Sequence, residues 1–446
     1  MFDVREKPKM VERALLVSVF FGKESRQEAE ELLTELGDLV DTLGIPIVDR
    51  MVVKSGRPHP GLLVGTGKAE EICAHATQHN ADVIIFDNEL TPAQQRKWEG
   101  LTKKCVIDRQ EVILDIFARR AHTREATLQV ALARMEYSLP RLTRAWTHLS
   151  RQSGAGGTGG RGEGETQLET DRRIVRRRID RLKSELEQVK KQRATRRKQR
   201  TRIPLPVAAI VGYTNAGKSS LLKALTQADV LVEDKLFATL DTTTRKLDLP
   251  NGQALLLTDT VGFVRRLPHD LVESFKATLE ESVLADFLVH LLDASHPQVY
   301  ELHETTMQVL KEIGAEEKRI LTVFNKIDKL SDRTPLIHLR RNFPGSTFIS
   351  IKTGEGLPGL VHAFADQLND QVIHYRLALP AKRSDLLSLL HRTGRVLETE
   401  YLDDMVRVEA VAPGRLRGQF AEFLQAAEGA TNSDAREKVE AETADR

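Results

Sequence analysis

Residues 14–21, Ala-Leu-Leu-Val-Ser-Val-Phe-Phe, form an almost unbroken apolar run, the pattern of a strand covered on both faces. Behind it, Leu32, Leu33, Leu36 and Leu39 recur at helical spacing between residues 25 and 43. Residues 47–53 and 81–87 predict further strands, with helical stretches at 69–76 and 92–99. Strands alternating with helices imply a parallel sheet, hence an N-terminal α/β domain over residues 1–150. The alternation returns further on. Residues 207–211 predict a buried strand that runs into a glycine-rich turn and a helix starting at Ser219. Residues 245–257 read as a hairpin around Asn251-Gly252. The runs 286–293, 319–324 and 347–350 are strands of a mostly parallel sheet, giving a second α/β domain over residues 204–370. A strand (372–379), a helix (384–391, stopped by Gly394) and two strands (396–400, 405–411) predict a small α+β domain over residues 371–428. Residues 429–446 are acidic, Ala-rich and unpatterned, and read as a disordered tail.

The stretch 151–203, between the two α/β domains, has a different character. Residues 153–166 (Ser-Gly-Ala-Gly-Gly-Thr-Gly-Gly-Arg-Gly-Glu-Gly-Glu-Thr) bury too little apolar area to offset chain entropy, which predicts a mobile loop. A plain linker and a tip that inserts into a partner both fit it. Residues 171–202 then predict a helix, with Val175, Ile179, Leu182, Leu186 and Val189 at the 4-3-4-3 spacing of a coiled-coil seam. From Arg172 to Arg202 fifteen Lys or Arg face three Asp or Glu, although the whole chain carries a net charge of only +2. The unmixed clusters Arg176-Arg177-Arg178 and Arg196-Arg197-Lys198, with Arg161, Arg172 and Arg173 nearby, repel themselves unless an anion binds. No aromatic residue interleaves with them, so phosphate-backbone contact is indicated rather than base stacking. RNA is the partner that suits them.

Composition narrows the class without fixing the function. A chain of 446 residues exceeds what one core supports, so several domains are expected. No uncharged apolar run reaches the roughly 18 residues of a membrane span, so an integral membrane protein is excluded. The first residues, Met-Phe-Asp-Val-Arg-Glu-Lys, lack the apolar core of a signal peptide. Cys73 and Cys105 are too few for a disulfide framework and read as buried small hydrophobes in a reducing, cytoplasmic setting. The thirteen histidines show no His-Glu-x-x-His or similar metal pairing and read as ordinary residues.

Three ordered strings carry the chemistry. Gly212-Tyr213-Thr214-Asn215-Ala216-Gly217-Lys218-Ser219 matches the phosphate loop, whose backbone amides wrap phosphate oxygens while the lysine reaches the outer phosphates. Ser219 is the expected magnesium ligand of that loop. Asp259-Thr260-Val261-Gly262 places a carboxylate at a strand end for the Mg2+ shell, then a glycine amide facing the γ-phosphate. Asn325-Lys326-Ile327-Asp328 ends in an acceptor for the N1–H and exocyclic amine of guanine, with Lys326 along the purine face. Ser350-Ile351-Lys352 stands where a Ser-Ala-Lys loop would meet the guanine carbonyl. Together they imply a GTP/GDP site. A second switch ligand to magnesium should be a threonine within residues 237–244, where Thr239, Thr242, Thr243 and Thr244 are all candidates by spacing. Gly61-Leu-Leu-Val-Gly-Thr-Gly-Lys68 also suggests a phosphate loop, but it lacks the full spacing and the terminal Ser or Thr. A turn shaped by glycines, or an RNA contact through Lys68, fits it better.

The phosphate loop, Asp259-Thr-Val-Gly-Phe263, Phe237-Ala238-Thr239-Leu240-Asp241 and the Gly-rich insert resemble the HflX family of translation-factor-related GTPases. Gly61–Lys68, Asp108-Arg-Gln and residues 128–137 extend the resemblance through the N-terminal domain. It implies that residues 237–241 contact GTP and that Thr239 is the threonine that binds magnesium and the γ-phosphate. With Lys218 and Gly262, Thr239 would then form the catalytic set. The resemblance also implies binding to the large ribosomal subunit and its RNA, in ribosome dissociation, rescue or assembly, and the chain is expected to be a monomer.

Phe263 stands where many small GTPases place a water-orienting glutamine, and a phenyl ring cannot polarise water. Intrinsic hydrolysis should be slow, on the order of 10⁻⁴ to 10⁻² s⁻¹, until a partner orders the switches. Arg265 and Arg266 follow closely and could reach a phosphate, but read better as solvated surface residues. The alternative function is a GTP-gated adaptor working through protein–protein contacts, with a peripheral membrane-associated fraction. A tRNA-modifying enzyme would need a catalytic cysteine or cofactor site, and the sequence offers neither.

Overall fold

The computed structural model describes residues 13–22, 25–144, 161–200, 205–226, 236–237, 240–266, 281–369, 372–402 and 404–424. The first unit runs β1 (Ala14–Phe21), α1 (Arg26–Thr42), β2 (Ile47–Ser55), α2 (Thr66–Gln78), β3 (Val83–Phe86), α3 (Pro92–Thr102), β4 (Cys105–Asp108), α4 (Arg109–Arg120) and α5 (Arg124–Ser138). Its four strands are parallel in the order β2-β1-β3-β4. The alternation along β1 sorts side chains to two faces. Leu15, Val17 and Val19 join one core and Ala14 and Leu16 the other, which is why the strand reads as continuously apolar. Local chemistry starts the helices: Ser25 caps α1, Thr91 and Gln94 form a capping box before Pro92 on α3, and Asp108 and Thr123 cap α4 and α5. The four-residue strand β4 escapes a periodicity reading because α4 follows it without a break. Cys73 and Cys105 are half-buried and form no disulfide, less enclosed than the sequence suggests.

The basic segment is one helix, α6 (Arg161–Arg200), packed against α5. Ile179, Leu182 and Leu186 are buried against Leu132 of α5, with Val175 partly buried beside them. Lys183 pairs with Glu136 of α5 at 2.8 Å. One expectation is corrected here. Residues 161–166, read as part of a mobile glycine loop, belong to the helix, because extending an existing helix costs far less than nucleating one. Residues 153–160 lie outside the described residues, as does the acidic tail.

The second unit contains β5 (Val207–Gly212), α7 (Lys218–Thr226), β6 (Thr243–Asp248), β7 (Ala254–Asp259), β8 (Phe287–Asp293), α8 (Val299–Glu312), β9 (Arg319–Asn325), α9 (Thr334–Asn342), β10 (Thr347–Phe348) and α10 (Leu357–Asn369). Six strands lie in the order β10-β9-β8-β5-β7-β6, all parallel except β6, which pairs antiparallel with β7 through the Asn251-Gly252 turn. The third unit, β11 (Val372–Pro380), α11 (Ser384–Thr393), β12 (Arg395–Leu402), β13 (Met405–Pro413) and α12 (Arg417–Phe420), is an antiparallel sheet in the order β11-β13-β12. Its core joins Tyr375, Leu377 and Val408 of the sheet to Leu386 and Leu390 of α11 and to Phe420. No helix among the described residues is long and apolar enough to cross a membrane.

The first two units share a core. One apolar cluster runs from Leu36, Val112 and Phe117 of the N-terminal unit into Phe237, Leu240, Phe263 and Leu292 of the second. The Phe117 and Phe237 rings meet edge to face, 4.6 Å between centroids, an arrangement that adds roughly 0.5–1.5 kcal/mol beyond area burial.

Candidate nucleotide site

The carboxyl ends of β5, β7, β8 and β9 converge at one edge of the second sheet, where doubly wound sheets gather ligands. β5 runs into the turn 212–217, and α7 starts at Lys218. Two glycines make that turn feasible. Gly212 and Gly217 have φ of +147° and +101°, and a Cβ would lie 2.2 Å from the Leu291 carbonyl oxygen or 2.6 Å from Asn325 Nδ2. The backbone amides of the loop and the start of α7 therefore face one concave spot, suited to phosphate.

Lys218 reaches back over this turn and donates to the Tyr213 carbonyl at 2.8 Å. It is buried, which pushes its ammonium down to about 8, with the Asp259 carboxylate partly countering the shift. His290, buried beneath it on β8, is held down to about 3, first by burial and then by His303 and Lys218. A neutral imidazole adds no charge against the lysine. Ser219 Oγ donates to Asp259 Oδ2 at 2.7 Å, so the hydroxyl and the strand-end carboxylate lie side by side. Thr260 bonds the Ile210 carbonyl at 2.6 Å, fixing the strand end. Gly262 is packed so tightly that a Cβ would lie 2.9 Å from Lys218 Nζ and 2.7 Å from Thr214 Cγ2. Val261 is buried, and Phe263 exchanges backbone hydrogen bonds with the loop: Thr214 N–H to its carbonyl at 2.8 Å, its own N–H to Gly212 at 3.1 Å.

The residues expected to read the base meet the loop from the other side. Asn325 Nδ2 donates to the Ala216 carbonyl at 2.8 Å, and its Oδ1 accepts from the Ile351 amide at 3.2 Å. Ser350 Oγ donates to Asp328 Oδ1 at 2.6 Å, orienting the carboxylate. Lys326, with a left-handed φ of +63°, pairs with Asp293 at 2.8 Å. Ile327 starts a short 3-10 turn that carries Asp328. Ile351, the residue that departs from alanine, rests against the space that a Cβ on Gly217 would need, its Cδ1 3.3 Å away. Lys352 is exposed and Asn215 projects from the loop with φ +61°.

Other sequence-predicted positions lie elsewhere. Ala238 and Thr239 fall outside the described residues, so the switch threonine is not placed. Phe237 and Leu240 are buried in the core shared with the N-terminal unit. Asp241 accepts from the His122 and Thr123 amides, each at 3.0 Å, and from Thr123 Oγ1 at 2.5 Å. Arg265 and Arg266 correct an expectation: neither is a plain solvated arginine. Arg265 is mostly buried among Glu31, Glu35 and Glu301, all at 3.8 Å, and hydrogen-bonds Gln298. Arg266 pairs with the fully buried Asp87 at 3.1 Å. Two carboxylates enclosed in the N-terminal unit need cations, and these arginines are within reach.

Sequence reasoning missed the partners of that contact. Arg109, at the start of α4, bridges Asp87 (2.6 Å) and Glu35 (2.5 Å). Burial alone would lower its guanidinium, but Glu35 and Asp87 outweigh that and raise it. The Tyr213 hydroxyl donates to Glu35 at 2.7 Å and accepts from the Arg265 amide at 2.7 Å. Burial, reinforced by Glu35, holds that phenol well above its ordinary value, so it stays protonated as a donor. The Asp108-Arg-Gln string was the one available signal, and it gives no partner.

Three family models tile the chain: GTP-binding GTPase N-terminal over residues 30–118, GTP-binding GTPase Middle Region over 120–200, and 50S ribosome-binding GTPase over 207–326. A GTPase HflX from Akkermansia muciniphila is 52% identical over 434 residues, 95% of this chain and 99% of that protein. The chain belongs to the HflX family of GTPases. GTPase HflX proteins from Chlamydia pneumoniae and Escherichia coli K12 are each 44% identical, covering 95% and 88% of this chain and 90% and 91% of those proteins. Membership makes the chain a GTP-binding GTP hydrolase on a P-loop domain. The donors at the head of the loop fit the cation that such domains use. Ser219 and Asp259 present adjacent hard oxygens and no nitrogen or sulfur ligand, the donor set of Mg2+.

Proposed function

We propose that this protein couples its GTP cycle to binding of the large ribosomal subunit, and that its basic helix supplies the RNA contact. The observation that carries the reading is the way α6 is presented. Its apolar seam is spent against α5, so Arg176, Arg177 and Arg178 face outward, exposed and without an ion pair among the described residues. Arg173 is exposed and Arg172 half-buried next to them. The side chains of Arg161, Arg196, Arg197 and Lys198 lie outside the described residues. A rigid rod bearing unpaired arginines suits a phosphate backbone. A 50S ribosome-binding description for residues 207–326 agrees with that partner.

In this reading Asp328 selects guanine, Asn325 ties the base loop to the phosphate loop, and Ile351 offers its amide to the guanine carbonyl. Lys218 holds the outer phosphates. Ser219 and Thr239 would ligate Mg2+, which neutralises charge developing between the β- and γ-phosphates. Gly262 turns its amide to the γ-phosphate, and Phe263 leaves the attacking water without a polar partner, so turnover waits on the particle. The division at about residues 150, 203, 370 and 428 then separates sensor, RNA rod, nucleotide unit and a small C-terminal unit. The chain would act as a monomer in the cytoplasm.

Turnover should rise tenfold or more when large ribosomal subunits are added, within the range for switches completed in trans. Neutralising Arg176, Arg177 and Arg178 should weaken that stimulation, flatten its salt dependence and leave turnover without subunits unchanged. Stimulation that is absent, or that is intact in the triple variant, overturns the reading.

A further inference from the structure

The row of side chains between β2 and α2 changes chemistry at one end. Met51 and Val53 on β2 and Ala69, Ile72 and Ala76 on α2 form a buried apolar contact. Asp49 shares the strand face of Met51 and Val53, two residues back, and His75 and His79 follow Ile72 and Ala76 by three positions on the helix. The apolar row therefore ends in two imidazoles facing a carboxylate. His75 Nδ1 lies 3.0 Å and His79 Nε2 3.6 Å from the same oxygen, Asp49 Oδ2, and all three ligand atoms lie within 4.8 Å of one another. The rings are stacked, 5.9 Å between centroids. The other carboxylate oxygen, Oδ1, accepts from the Arg50 amide at 2.8 Å, which turns Oδ2 toward the histidines.

We infer that Asp49, His75 and His79 form a binding site for a zinc-class divalent cation, separate from the Mg2+ site of the nucleotide. Zinc–nitrogen and zinc–oxygen bonds of about 2.0–2.2 Å put neighbouring tetrahedral ligands roughly 3.4 Å apart, and the two contacts to Asp49 bracket that spacing. A simple ion pair needs one histidine. A second imidazole on the same oxygen would add like-charge repulsion if both were protonated, whereas two neutral imidazoles and a carboxylate supply three convergent lone pairs. Two nitrogens and one oxygen favour Zn2+, Co2+ or Ni2+ over the hard Mg2+. The ligand side chains are 28–39% exposed, so three protein ligands leave a coordination position open to water and the ion exchangeable. Bound metal would pin the edge strand β2 to α2 at the outer rim of the N-terminal sheet. The sequence carries the signal as His75-x-x-x-His79, which the expectation of unpaired histidines passed over.

The test titrates the full-length, nucleotide-free chain with Co2+ and with Zn2+. One equivalent of Co2+ should bind saturably and give visible d–d bands, Zn2+ should displace it, and Zn2+ should raise the melting temperature reversibly on chelation. His75→Gln with His79→Gln, and separately Asp49→Asn, should each weaken metal binding by about tenfold or more while GTP affinity stays unchanged. Binding that survives the double histidine variant would place the metal elsewhere and overturn the assignment. Absence of saturable Co2+ or Zn2+ binding by the unaltered chain overturns it equally.

Discussion

The two sides of the nucleotide site are built differently. The base side is self-contained. Asn325, Asp328, Ser350 and Ile351 hold one another and the phosphate loop through bonds that stay within the second sheet unit. The phosphate side is shared. Each segment that would answer to the γ-phosphate is tied to the N-terminal unit: Phe237 to Phe117, Asp241 to the cap of α5, and the run after Gly262 to Glu35 and Asp87 through Arg265 and Arg266. Recognising guanine is a local task, and a short motif can carry it. Reporting which nucleotide is bound requires that the moving segments touch something else, and here that is the unit whose α5 supports the basic helix. Asp241 holds Thr123, the cap of α5, and α5 packs on α6, so the contacts run from Asp241 to the arginine-bearing helix without a break. That run of contacts says where to cut.

The deepest cut is Arg109. Arg109→Ala should leave Asp87 and Glu35 enclosed with much of their countercharge gone, at a cost of about 3–5 kcal/mol. Urea denaturation followed through Trp98, which is fully buried in the N-terminal core, would read it. A loss below about 1 kcal/mol would mean that Arg265 and Arg266 suffice and that the shared side is looser than the base side. Next in size is Asp328→Asn, which sets a donor amide against the guanine N1–H. It should weaken GTP binding by roughly 30–100-fold, about 2–3 kcal/mol, and shift preference toward xanthosine triphosphate. The same variant should leave the Trp98 transition in place. If it moves that transition, the base side is not self-contained.

This asymmetry also decides what a sequence can show. Gly212–Ser219, Asp259–Gly262 and Asn325–Asp328 are legible because they follow the fixed spacing that binding phosphate, magnesium and guanine would demand. The structure brings these strings to one sheet edge. The apolar runs of β1, β5, β8 and β9 are legible for a similar reason, since two covered faces leave no polar alternation. The seam of α6 is legible from its 4-3 spacing, and its buried Ile179, Leu182 and Leu186 follow that pattern. Glu35, Asp87, Arg109 and Thr123 are not. Each is an ordinary polar residue of a helix, cap or strand end, and its partners lie between 22 and 230 positions away in the chain. Arg265 read as solvated because nothing local to it predicts the acids of α1.

A smaller effect tests the phosphate side by titration. Burial holds Lys218 at about 8 before phosphate arrives, with Asp259 partly restoring it. The depressed value belongs to the free protein, and a bound triphosphate raises it again, so binding above pH 8 must take up a proton. Affinity for GTP should therefore be level below about pH 7 and fall with rising pH, approaching tenfold per unit, or about 1.4 kcal/mol, above pH 8. Asp328→Asn should shift the whole profile down without changing its shape. A profile flat to pH 9.5 would mean that Lys218 keeps its ordinary value, and that its burial is relieved in solution.

The smallest expected change bears most directly on the shared side. Asp241 takes three hydrogen bonds from the α5 cap, two of them from the His122 and Thr123 amides. Thr123 in turn accepts from the Ala126 amide at 3.2 Å, so Asp241 orders the residue that caps the helix. Asp241→Ala removes the outer member of this pair while Thr123 keeps its own cap. The cost should be about 1 kcal/mol, that of hydrogen bonds lost from a partly exposed site. It should appear as roughly fivefold faster hydrogen exchange at the amides of residues 122–127, with α2 and α3 unaffected. If those amides exchange at the original rate, Asp241 is not holding α5, and the contact from switch to basic helix must run through Phe237 and Phe117 alone. If instead exchange quickens along α5 and its partner face on α6, the nucleotide side and the RNA side share one cooperative unit, as the packing of Leu132 on Ile179 and Leu182 requires.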